Sequence, residues 1–353
     1  MTNIQNEQSM KKSFIPKKSL WRRILCAFLI FSLASASYTA VSFGATNKVN
    51  VKKFKTVGYF PSWKPAEADN IRYDVLTHIN YAFAIPTAKG GLRSLENADT
   101  AKKIIKKAHK SGVKVLLAVG GWSYNGTPLE STFMSATSTA ARRKSFANAI
   151  MKMVKKYGFD GVDMDWEHPR KDGKSWKQYE ALMLLLEDKL HSQGKLLTSA
   201  VLSGATPDRG IYYDAAAHTD KVLKAVDWIN VMAYDGGDGN RHSSYKLATD
   251  SANYWKKTRK MTKNKIVLGV PFYSRPGWVP YRDLLNSNKN AGSKNHITYN
   301  GMDVWYNGIS MIKKKTDYAA KNLGGIMIWE VTQDAAGSKS LQTAIKKALD
   351  MYR

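Results

Sequence analysis

Cysteine is almost absent from this chain, since Cys26 is the only one in 353 residues. It lies in an apolar segment near the N-terminus that we interpret below as a signal peptide. The mature chain would then contain no thiol and could form no disulfide, unlike many small secreted domains. The length is sufficient for one large domain or two ordinary ones, and a large core does not require disulfides.

Acidic residues are scarce relative to basic ones. The chain has 55 Lys and Arg against 28 Asp and Glu, a net charge of +27. Such a charge favours anionic surfaces, so electrostatic association with cell-wall polymers is one hypothesis. The lysines are dispersed along predicted helices instead of being grouped in a recognition motif, so we expect no nucleic-acid partner.

Long apolar runs are confined to the start of the chain. Basic residues from Lys11 to Arg23 are followed by an apolar run, Ile24 to Leu33, and then by small residues. This order is typical of a secretory signal peptide. We expect residues 1–45 to be a leader cleaved roughly between 36 and 46, and the protein to be secreted. The alternative is an uncleaved anchor, but the run is marginal for the ~20 apolar residues of a span. We expect no stable membrane span after cleavage.

Beyond the leader, short apolar runs alternate with amphipathic stretches. The eight runs are 57–60, 78–83, 115–119, 161–166, 196–201, 228–232, 266–270 and 325–329. The helical stretches are 101–111, 140–157, 176–193, 252–258, 309–322 and 341–351. Eight strands alternating with helices predict a single (β/α)8 TIM barrel over residues 46–353. In such barrels the active site lies at the C-terminal ends of the strands.

The fourth run carries four acids within eight residues. Asp163, Asp165 and Glu167 alternate, so on a strand they would project to one face, and Asp160 precedes them. Burying neighbouring carboxylates is unfavourable unless they share protons or hydrogen bonds. The pattern therefore favours a site in which one carboxyl stays protonated as an acid. A solvated turn and a divalent-cation site are the alternatives. The histidines show no metal-ligand spacing, and we expect no metal or organic cofactor.

These residues resemble the signature of a known family. Asp160-x-x-Asp163-x-Asp165-x-Glu167 is similar to the DxxDxDxE motif of glycoside hydrolase family 18, the chitinases and related β-N-acetylglucosaminidases. Further similar segments follow the family's order: 58–60, 80–83, 120–122, 232–235, 269–273 and 324–330.

The resemblance implies roles for individual residues. Glu167 would be the general acid of a retaining, substrate-assisted reaction through an oxazolinium intermediate, a known exception to the two-carboxylate scheme. Asp165 would orient the substrate's acetamido group, with Asp163 as its proton-sharing partner. Tyr234 would hydrogen-bond the acetamido oxygen. The implied substrate-binding residues are Trp329, Met232, Asp235, Tyr59, Phe83, Trp122, Gly121 and Arg275.

Simpler interpretations apply to some of these residues. Tyr59 and Phe83 could be core aromatics, and Arg275 could form a structural ion pair. Asp160 is expected to support the turn into the strand. His168 should point away from Glu167 if the strand continues, and would then belong to packing or to the rim.

The chain departs from the family pattern at two places. Ala118 stands where the family often has a serine that hydrogen-bonds the lower Asp, which leaves open how Asp163 is tuned. The stretch from Tyr273 to Asn307 is short, whereas many processive members carry a small α+β subdomain there, and 286–294 is expected to be a loop. We therefore expect no large α+β insertion subdomain, an open groove and non-processive action.

The predicted function is hydrolysis of β-1,4 bonds in chitin or chitooligosaccharides by a secreted enzyme. One alternative is an endo-β-N-acetylglucosaminidase of the same family that acts on peptidoglycan or N-glycans. The alternative of another class is a chitin-binding lectin without catalysis. Such lectins usually lack the terminal acid of the signature, whereas Glu167 is present here.

Overall fold

The computed structural model describes residues 53–352. The predicted leader and Cys26 lie outside these residues. Eight strands of the described part form a closed barrel: β1 Lys55–Pro61, β2 His78–Ala84, β3 Lys114–Gly121, β4 Gly161–Trp166, β5 Leu196–Leu202, β6 Trp228–Met232, β7 Ile266–Pro271 and β8 Gly325–Trp329.

Each strand pairs in parallel with its neighbours in sequence, and β8 closes the barrel by pairing with β1. The predicted single (β/α)8 barrel is therefore confirmed. All eight predicted runs fall within two residues of the observed strand ends. Strands of a parallel barrel are covered on both faces, so each forms a nearly continuous apolar run that is visible in the sequence.

Two apolar layers hold the barrel together. Alternate strand residues such as Val57, Leu116 and Met327 form a cluster distinct from the larger one that contains the buried helix faces. On β4 the alternation separates Val162 and Met164, which belong to the larger cluster, from Asp163 and Asp165 between them. The packing of β4 therefore directs its acids towards the barrel axis.

Helices follow the strands. Within residues 53–352 the α-helices are α1 Ala98–Lys110, α2 Glu130–Ala136, α3 Ala140–Tyr157, α4 Ser175–His191, α5 Asp220–Ala225, α6 Tyr245–Asn253, α7 Tyr281–Ser287, α8 Ile309–Asn322 and α9 Leu341–Asp350. Local signals set their ends. The Thr139 side chain accepts a hydrogen bond from the backbone N–H of Arg142 at the start of α3, and Gly158 ends that helix with a left-handed φ of 80°.

The sixth helix differs from its prediction, which covered only 252–258. The observed α6 begins at Tyr245 and ends at Asn253, and a π-helical turn, Tyr254–Thr258, follows it. Ser244 begins the helix by accepting a hydrogen bond from the backbone N–H of Leu247. The early turns contain many polar residues and were therefore not identified as helical.

The segment between β7 and α8 is small, as expected. It holds α7 and a two-stranded antiparallel hairpin, His296–Tyr299 with Met302–Trp305. The stretch 286–294, predicted as a loop, contains the last residues of α7 and a 3-10 turn, Ala291–Ser293. In residues 53–352 no helix is long and apolar enough to span a membrane.

Candidate active site

Three acidic side chains meet at the C-terminal end of β4. Asp163 is fully buried, Asp165 is 3% exposed, and the Glu167 side chain is 18% exposed. Asp163 lies deepest along the strand and Glu167 comes just after its end. The acids therefore rise from the barrel interior towards the face where barrel enzymes place their catalytic groups.

Asp163 is held by donors from three other strands. Its Oδ2 accepts a hydrogen bond from the Tyr59 hydroxyl at 2.5 Å. Its Oδ1 accepts one from Thr198 Oγ1 at 2.5 Å and one from Asn230 Nδ2 at 3.0 Å. Burial raises the pKa of Asp163, and these hydrogen bonds partly oppose the rise.

These hydrogen bonds hold Asp163 even though Ala118 stands where the family often has a serine. Ala118 lies directly opposite Asp163 in the pairing of β3 with β4, and it offers no hydroxyl. On the other side of β4, the register pairs Asp163 with Thr198 of β5. A hydroxyl therefore reaches the carboxylate from the opposite neighbouring strand.

Asp165 and Glu167 are neighbouring carboxyls, and each shifts the pKa of the other. Burial, together with the charges of Glu167 and Asp163, raises the pKa of Asp165 well above its ordinary value. Burial raises the pKa of Glu167 to about 7, the hydrogen bond from Asp165 lowers it, and the charge of Asp235 raises it. The pair can therefore hold a proton near neutral pH, and it titrates as a unit.

One oxygen of this pair has no hydrogen-bond partner among residues 53–352. Asp165 Oδ1 is buried and accepts no hydrogen bond from any residue in the described part of the chain. A buried acceptor left unpaired is unfavourable, and such atoms in native structures call for an explanation.

Tyr234 comes from the segment after β6 and packs against the inner cluster with Met232. Its hydroxyl faces Met327 Sδ at 3.9 Å, which is a weak acceptor. Burial and the charges of Asp165 and Glu167 raise the pKa of Tyr234 well above its ordinary value, so the phenol remains a donor. At Gly269 a Cβ would lie 2.8 Å from the Tyr234 ring, so only glycine leaves room for this tyrosine.

Aromatic rings from several strand ends converge beside the acids. Trp329 contacts Tyr59 edge-on at 5.4 Å between ring centroids and stacks on Phe83 at 5.8 Å. Phe83 in turn stacks on Trp63, which is 48% exposed. Gly121 has a φ of 89°, and a Cβ there would lie 2.8 Å from the Phe83 ring. Tyr59 and Phe83 are therefore packed against other rings, as core aromatics would be, and they also lie next to the acids.

Trp122 lies at the rim, where it is 56% exposed. Its ring centroid is 6.4 Å from that of His168. The expectation that His168 points away from Glu167 is wrong, because its Nε2 lies 3.7 Å from Glu167 Oε2. β4 ends at Trp166, so strand alternation no longer applies. Burial lowers the pKa of His168 to about 4, and the ring is neutral at pH 7.

A second polar cluster surrounds Asp235. Tyr273 donates its hydroxyl proton to Asp235 Oδ2 at 2.7 Å, and Arg275 Nη1 lies 3.6 Å from Asp235 Oδ1. Arg275 Nε also pairs with Asp238 at 2.9 Å, and its guanidinium stacks 4.2 Å above the Trp278 ring. The alternative interpretation of Arg275 as an ion-pair residue therefore fits its contacts. The Tyr273 ring lies 6.5 Å from that of Tyr234, which links this cluster to the acids.

Asp160 lies at the opposite end of β4. Its Oδ2 accepts hydrogen bonds from the backbone N–H of Val115 at 2.7 Å and from His109 at 2.8 Å. It joins the start of β3 to α1, which agrees with the expected structural role. Within residues 53–352, no group of three or more His, Cys, Asp or Glu is arranged to hold a metal ion.

The sequence did not single out Thr198, Asn230 or His242 as site residues. Thr198 and Asn230 are polar residues on largely apolar strands, in the phase that faces the barrel axis. Their position on the inward face of each strand can be inferred from the sequence. Their partner cannot, because Asp163 lies 35 positions from Thr198 and 67 positions from Asn230. His242 follows the motif that contains Asp235, and its buried contacts appear only in the folded structure.

The geometry is suited to general acid catalysis. A carboxyl with a raised pKa stands beside a second one, both above an anchored third, with a tyrosine donor and stacked aromatic rings around them. Exposed and half-buried aromatic rings next to convergent polar groups are typical of sites that bind sugars.

Comparison with known proteins agrees with this geometry. The profile of the glycosyl hydrolases family 18 matches residues 55–334. Chitinase A1 of Niallia circulans is 26% identical over 99% of this chain and 64% of its own length. Chitotriosidase-1 of Mus musculus is 30% identical over 63% of this chain and 53% of its own length. The chain thus spans less than two thirds of the length of these relatives.

A solved structure matches over nearly its whole length. The GH18 chitinase ChiB from the chitin utilization locus of Flavobacterium johnsoniae superposes with a TM-score of 0.71 at 28% identity. The match covers 85% of this chain and 95% of that one.

Proposed function

The chain belongs to glycoside hydrolase family 18, and we propose that it hydrolyses the β-1,4 bonds between N-acetylglucosamine units of chitin and chitooligosaccharides. The observation that carries this proposal is the Asp165–Glu167 pair. One carboxyl holds a proton near neutral pH beside a buried acceptor, Asp165 Oδ1, that has no hydrogen-bond partner among residues 53–352. An acetamido N–H is a donor of the kind that this acceptor requires.

In the first step, Glu167 protonates the oxygen of the leaving sugar. The carbonyl oxygen of the substrate's own acetamido group bonds to the anomeric carbon as the glycosidic bond breaks, giving an oxazolinium ion. Asp165 accepts a hydrogen bond from the acetamido N–H and stabilises the developing positive charge. Glu167 is suited to this role because an acid is most effective when its pKa lies near the working pH.

In the second step, the ionised Glu167 takes a proton from water, which attacks the anomeric carbon and opens the oxazolinium ring. Configuration is retained, and Glu167 ends protonated as it began. Tyr234 donates its hydroxyl to the acetamido oxygen, which fixes that oxygen beneath the anomeric carbon. Its weak contact to Met327 is easily replaced by this stronger acceptor.

Asp163 supports the pair from below. Hydrogen bonds from Tyr59, Thr198 and Asn230 hold its carboxylate in place beneath the pair. Its charge disfavours ionisation of Asp165, which keeps a proton available above it.

The aromatic rings would bind the sugar chain. Trp329 would form the floor beneath the distorted sugar, with Phe83 and Tyr59 holding its ring in place. Met232, Gly121, Asp235 and Arg275 would line the remaining walls, and Trp122 would stack on a sugar at the rim. The small segment between β7 and α8 supports non-processive action in an open groove. Secretion and cell-wall association stay predictions.

The test is hydrolysis of chitotetraose and of purified peptidoglycan side by side, with Glu167→Gln as the control. We expect cleavage of chitotetraose, and a loss of about 10²–10⁴-fold in the variant, because the general acid is removed. Cleavage of peptidoglycan but not of chitotetraose would indicate that the substrate is a cell-wall polymer. Sugar binding with no cleavage of either would contradict the enzymatic proposal and favour a lectin.

A further inference from the structure

Lys315 of α8 is a fully buried lysine that the proposed mechanism does not use. Its Nζ donates to the Ser243 backbone oxygen at 2.8 Å, to Ser243 Oγ at 2.7 Å and to Asn307 Oδ1 at 2.6 Å. All three acceptors are neutral, and no carboxylate pairs with Lys315 within residues 53–352. A buried cation is unfavourable unless its donors are satisfied. An ammonium has three N–H groups, and each has an acceptor here.

The groups involved determine the direction of each hydrogen bond. A backbone oxygen and an amide oxygen can only accept, so Ser243 O and Asn307 Oδ1 take hydrogens from Lys315. The Ser243 hydroxyl has a single hydrogen, which it donates to the Ala233 carbonyl oxygen at 3.1 Å. Its oxygen therefore accepts from Lys315. A chain of hydrogen bonds thus runs from Lys315 Nζ through Ser243 Oγ to the backbone of Ala233.

This chain ends at the backbone that carries Tyr234. Ala233 is fully buried and lies between Met232, the last residue of β6, and Tyr234. Its carbonyl belongs to the peptide bond that joins it to Tyr234. Its N–H donates to Val231 O at 2.8 Å, so Ala233 is held on both sides. Because a peptide bond is planar, the orientation of this carbonyl sets the direction in which the chain enters Tyr234.

The Tyr234 side chain depends on its backbone for its position. Among residues 53–352 its hydroxyl has only the weak contact to Met327 Sδ at 3.9 Å. No strong hydrogen bond therefore locates the hydroxyl before a substrate binds. The ring packs close to Gly269, and the remaining restraint is the backbone from which it extends. A donor that is in place before the reaction stabilises the transition state without reorganisation.

We propose that Lys315 and Ser243 are positioning residues for Tyr234. Lys315 orients the Ser243 hydroxyl, and this hydroxyl holds the peptide bond from which Tyr234 extends towards the substrate. Neither side chain touches the sugar. The effect on catalysis rests on the proposed function, whereas the effect on the position of Tyr234 does not.

Asn307 holds Ser243 from a second direction. It is buried in the segment just before α8, and its Nδ2 donates to Ser243 O at 2.9 Å. The same side chain accepts from Lys315 through Oδ1. Ser243 is therefore attached both to α8 and to the residue that precedes it. The loop after β6 takes its position from a helix, and sites supported by helices are held more precisely than sites supported by loops alone.

The preceding residue, His242, supports a different part of this loop. Its Nδ1 accepts a hydrogen bond from the Asp235 backbone N–H at 3.4 Å, and its Nε2 lies 3.2 Å from the Tyr273 carbonyl oxygen. The Gly236 N–H donates to the His242 oxygen at 3.2 Å. These contacts hold Asp235 and the end of the loop. The contact that reaches the Ala233 carbonyl comes from Ser243.

The kinetic test removes one link of the chain at a time. Ser243→Ala removes the hydroxyl that holds the Ala233 carbonyl, and Lys315→Met removes the donor that orients this hydroxyl. We expect each to lower kcat for chitotetraose by at least about tenfold, because a misplaced group can cost up to about 10²-fold. Since Tyr234 acts on the developing oxazolinium ion, kcat and kcat/KM should fall together. The assays are run at about pH 6, where Lys315 is charged, because burial lowers its pKa to about 7.

A double-mutant cycle separates positioning of Tyr234 from a merely structural role. If Ser243 acts through the Tyr234 hydroxyl, Ser243→Ala should cost much less kcat in a Tyr234→Phe background, where that hydroxyl is already absent. Equal losses in the two backgrounds would contradict the proposal. Lys315→Met is compared in the same way, and Ser243→Ala keeps the cycle decisive if Lys315→Met does not fold.

Thr316→Val is the matched control for lost stability. Thr316 is buried next to Lys315, and its hydroxyl donates to Ile312 O at 2.8 Å within α8. The substitution removes a buried hydrogen bond without interrupting the chain to Ala233. We expect lower stability and an unchanged kcat. A fall in kcat as large as that of Ser243→Ala would mean that any weakening of α8 lowers activity, and it would overturn the positioning role.

Crystal structures of wild type and Ser243→Ala test the position of Tyr234 without any substrate. We expect the Tyr234 hydroxyl to move relative to Asp165 by about 0.5 Å or more, the tolerance of a productive site. An unmoved hydroxyl would refute the positioning role, whatever the rates. A wild-type protein that cleaves no N-acetylglucosamine polymer would refute the proposed function, and the two structures would still decide whether Ser243 positions Tyr234.

Discussion

Thr198 Oγ1 lies 2.5 Å from Asp163 Oδ1, across the pairing of β4 with β5, and both residues are fully buried. This contact joins the deepest acid of the site to a strand with no other acid of the signature. It supplies a hydroxyl where the opposite neighbour, Ala118, has none. The position of Asp163 therefore depends on a residue outside the acidic motif.

Replacing Thr198 by Val should weaken both stability and activity. Val has nearly the same shape but cannot donate, so it removes one of the hydrogen bonds that oppose the raised pKa of Asp163. We expect a loss of about 1–3 kcal/mol in the free energy of unfolding, measured in urea at neutral pH, with a parallel fall in kcat. Thr198→Ser keeps the hydroxyl and is the matched control. Equal losses in Val and Ser variants would show that the methyl group matters and the hydrogen bond does not.

Glu167→Gln should stabilise the protein at high pH while it removes activity. Burial raises the folded pKa of Glu167 from an ordinary 4.5 to about 7, so the folded state binds more protons than the unfolded state between these values. Wild-type stability due to this group is therefore lost as pH rises through that window. The measured quantity is the free energy of unfolding in urea, taken as variant minus wild type. We expect this difference to be about 1–3 kcal/mol larger at about pH 8 than at about pH 4.5.

The control for this comparison is Glu187→Gln on α4, where the side chain is 38% exposed. It removes a carboxyl from an exposed position, so a pH-dependent gain found only in Glu167→Gln is due to the burial of Glu167. A Glu167→Gln variant that gains nothing as pH rises would mean that burial does not raise the pKa of Glu167.

Lys315 should make the free energy of unfolding rise with pH, which is the opposite of the effect of Glu167. It is fully buried in α8 and donates to Ser243 O, Ser243 Oγ and Asn307 Oδ1 at 2.6–2.8 Å, all neutral acceptors. Burial lowers its folded pKa from 10.5 to about 7, so the unfolded state binds more protons between these values. Stability due to this group is lowest below about pH 7 and rises towards pH 10.5.

The Lys315→Met variant tests this sign. The variant should be less stable than wild type, because Asn307 and Ser243 lose a donor. The free energy of unfolding of wild type relative to the variant should rise by about 2 kcal/mol between about pH 7 and 9.5. Lys313→Met, an exposed neighbour on α8, is the control. A pH-independent difference between wild type and Lys315→Met would contradict a buried lysine with a lowered pKa.

Trp122→Ala should weaken sugar binding and leave the fold intact. More than half of the Trp122 surface is exposed, so its removal creates no cavity. We expect the affinity for chitohexaose to fall by up to about tenfold, measured calorimetrically in the Glu167→Gln background, because one stacked aromatic ring contributes about 0.5–1.5 kcal/mol. Met351→Ala, on the turn after α9, removes a more exposed apolar side chain and should not alter binding. Unchanged affinity in Trp122→Ala would remove Trp122 from the binding site.

The barrel could be predicted because each strand is a buried apolar run between turn signals. The runs at 161–166, 228–232 and 325–329 coincide with β4, β6 and β8. α2, α5 and α7 were not predicted, since helices of six or seven residues depend on tertiary contacts more than on their own sequence. For the same reason, only the end of α6 and the π-helical turn after it carried a recognisable helical pattern.

The acids of the candidate site could be predicted because they share one strand and one motif. Thr198, Asn230 and His242 could not, because each lies outside the acidic motif and its partner is distant in sequence or unrecognisable locally. The contact of His168 with Glu167 was missed because alternation was extended past the end of β4. Hydrogen bonds across strands follow from barrel register, which apolar periodicity alone does not determine.

The most direct test of the proposed mechanism compares chitotetraose with its fully deacetylated analogue, in wild type and in Glu167→Gln. The acetamido group is the nucleophile, so we expect kcat/KM to be measurable only for the acetylated sugar. We also expect Glu167→Gln to lower it by about 10²–10⁴-fold. Comparable cleavage of the deacetylated tetramer, or near wild-type rates in Glu167→Gln, would contradict substrate-assisted catalysis with Glu167 as the acid.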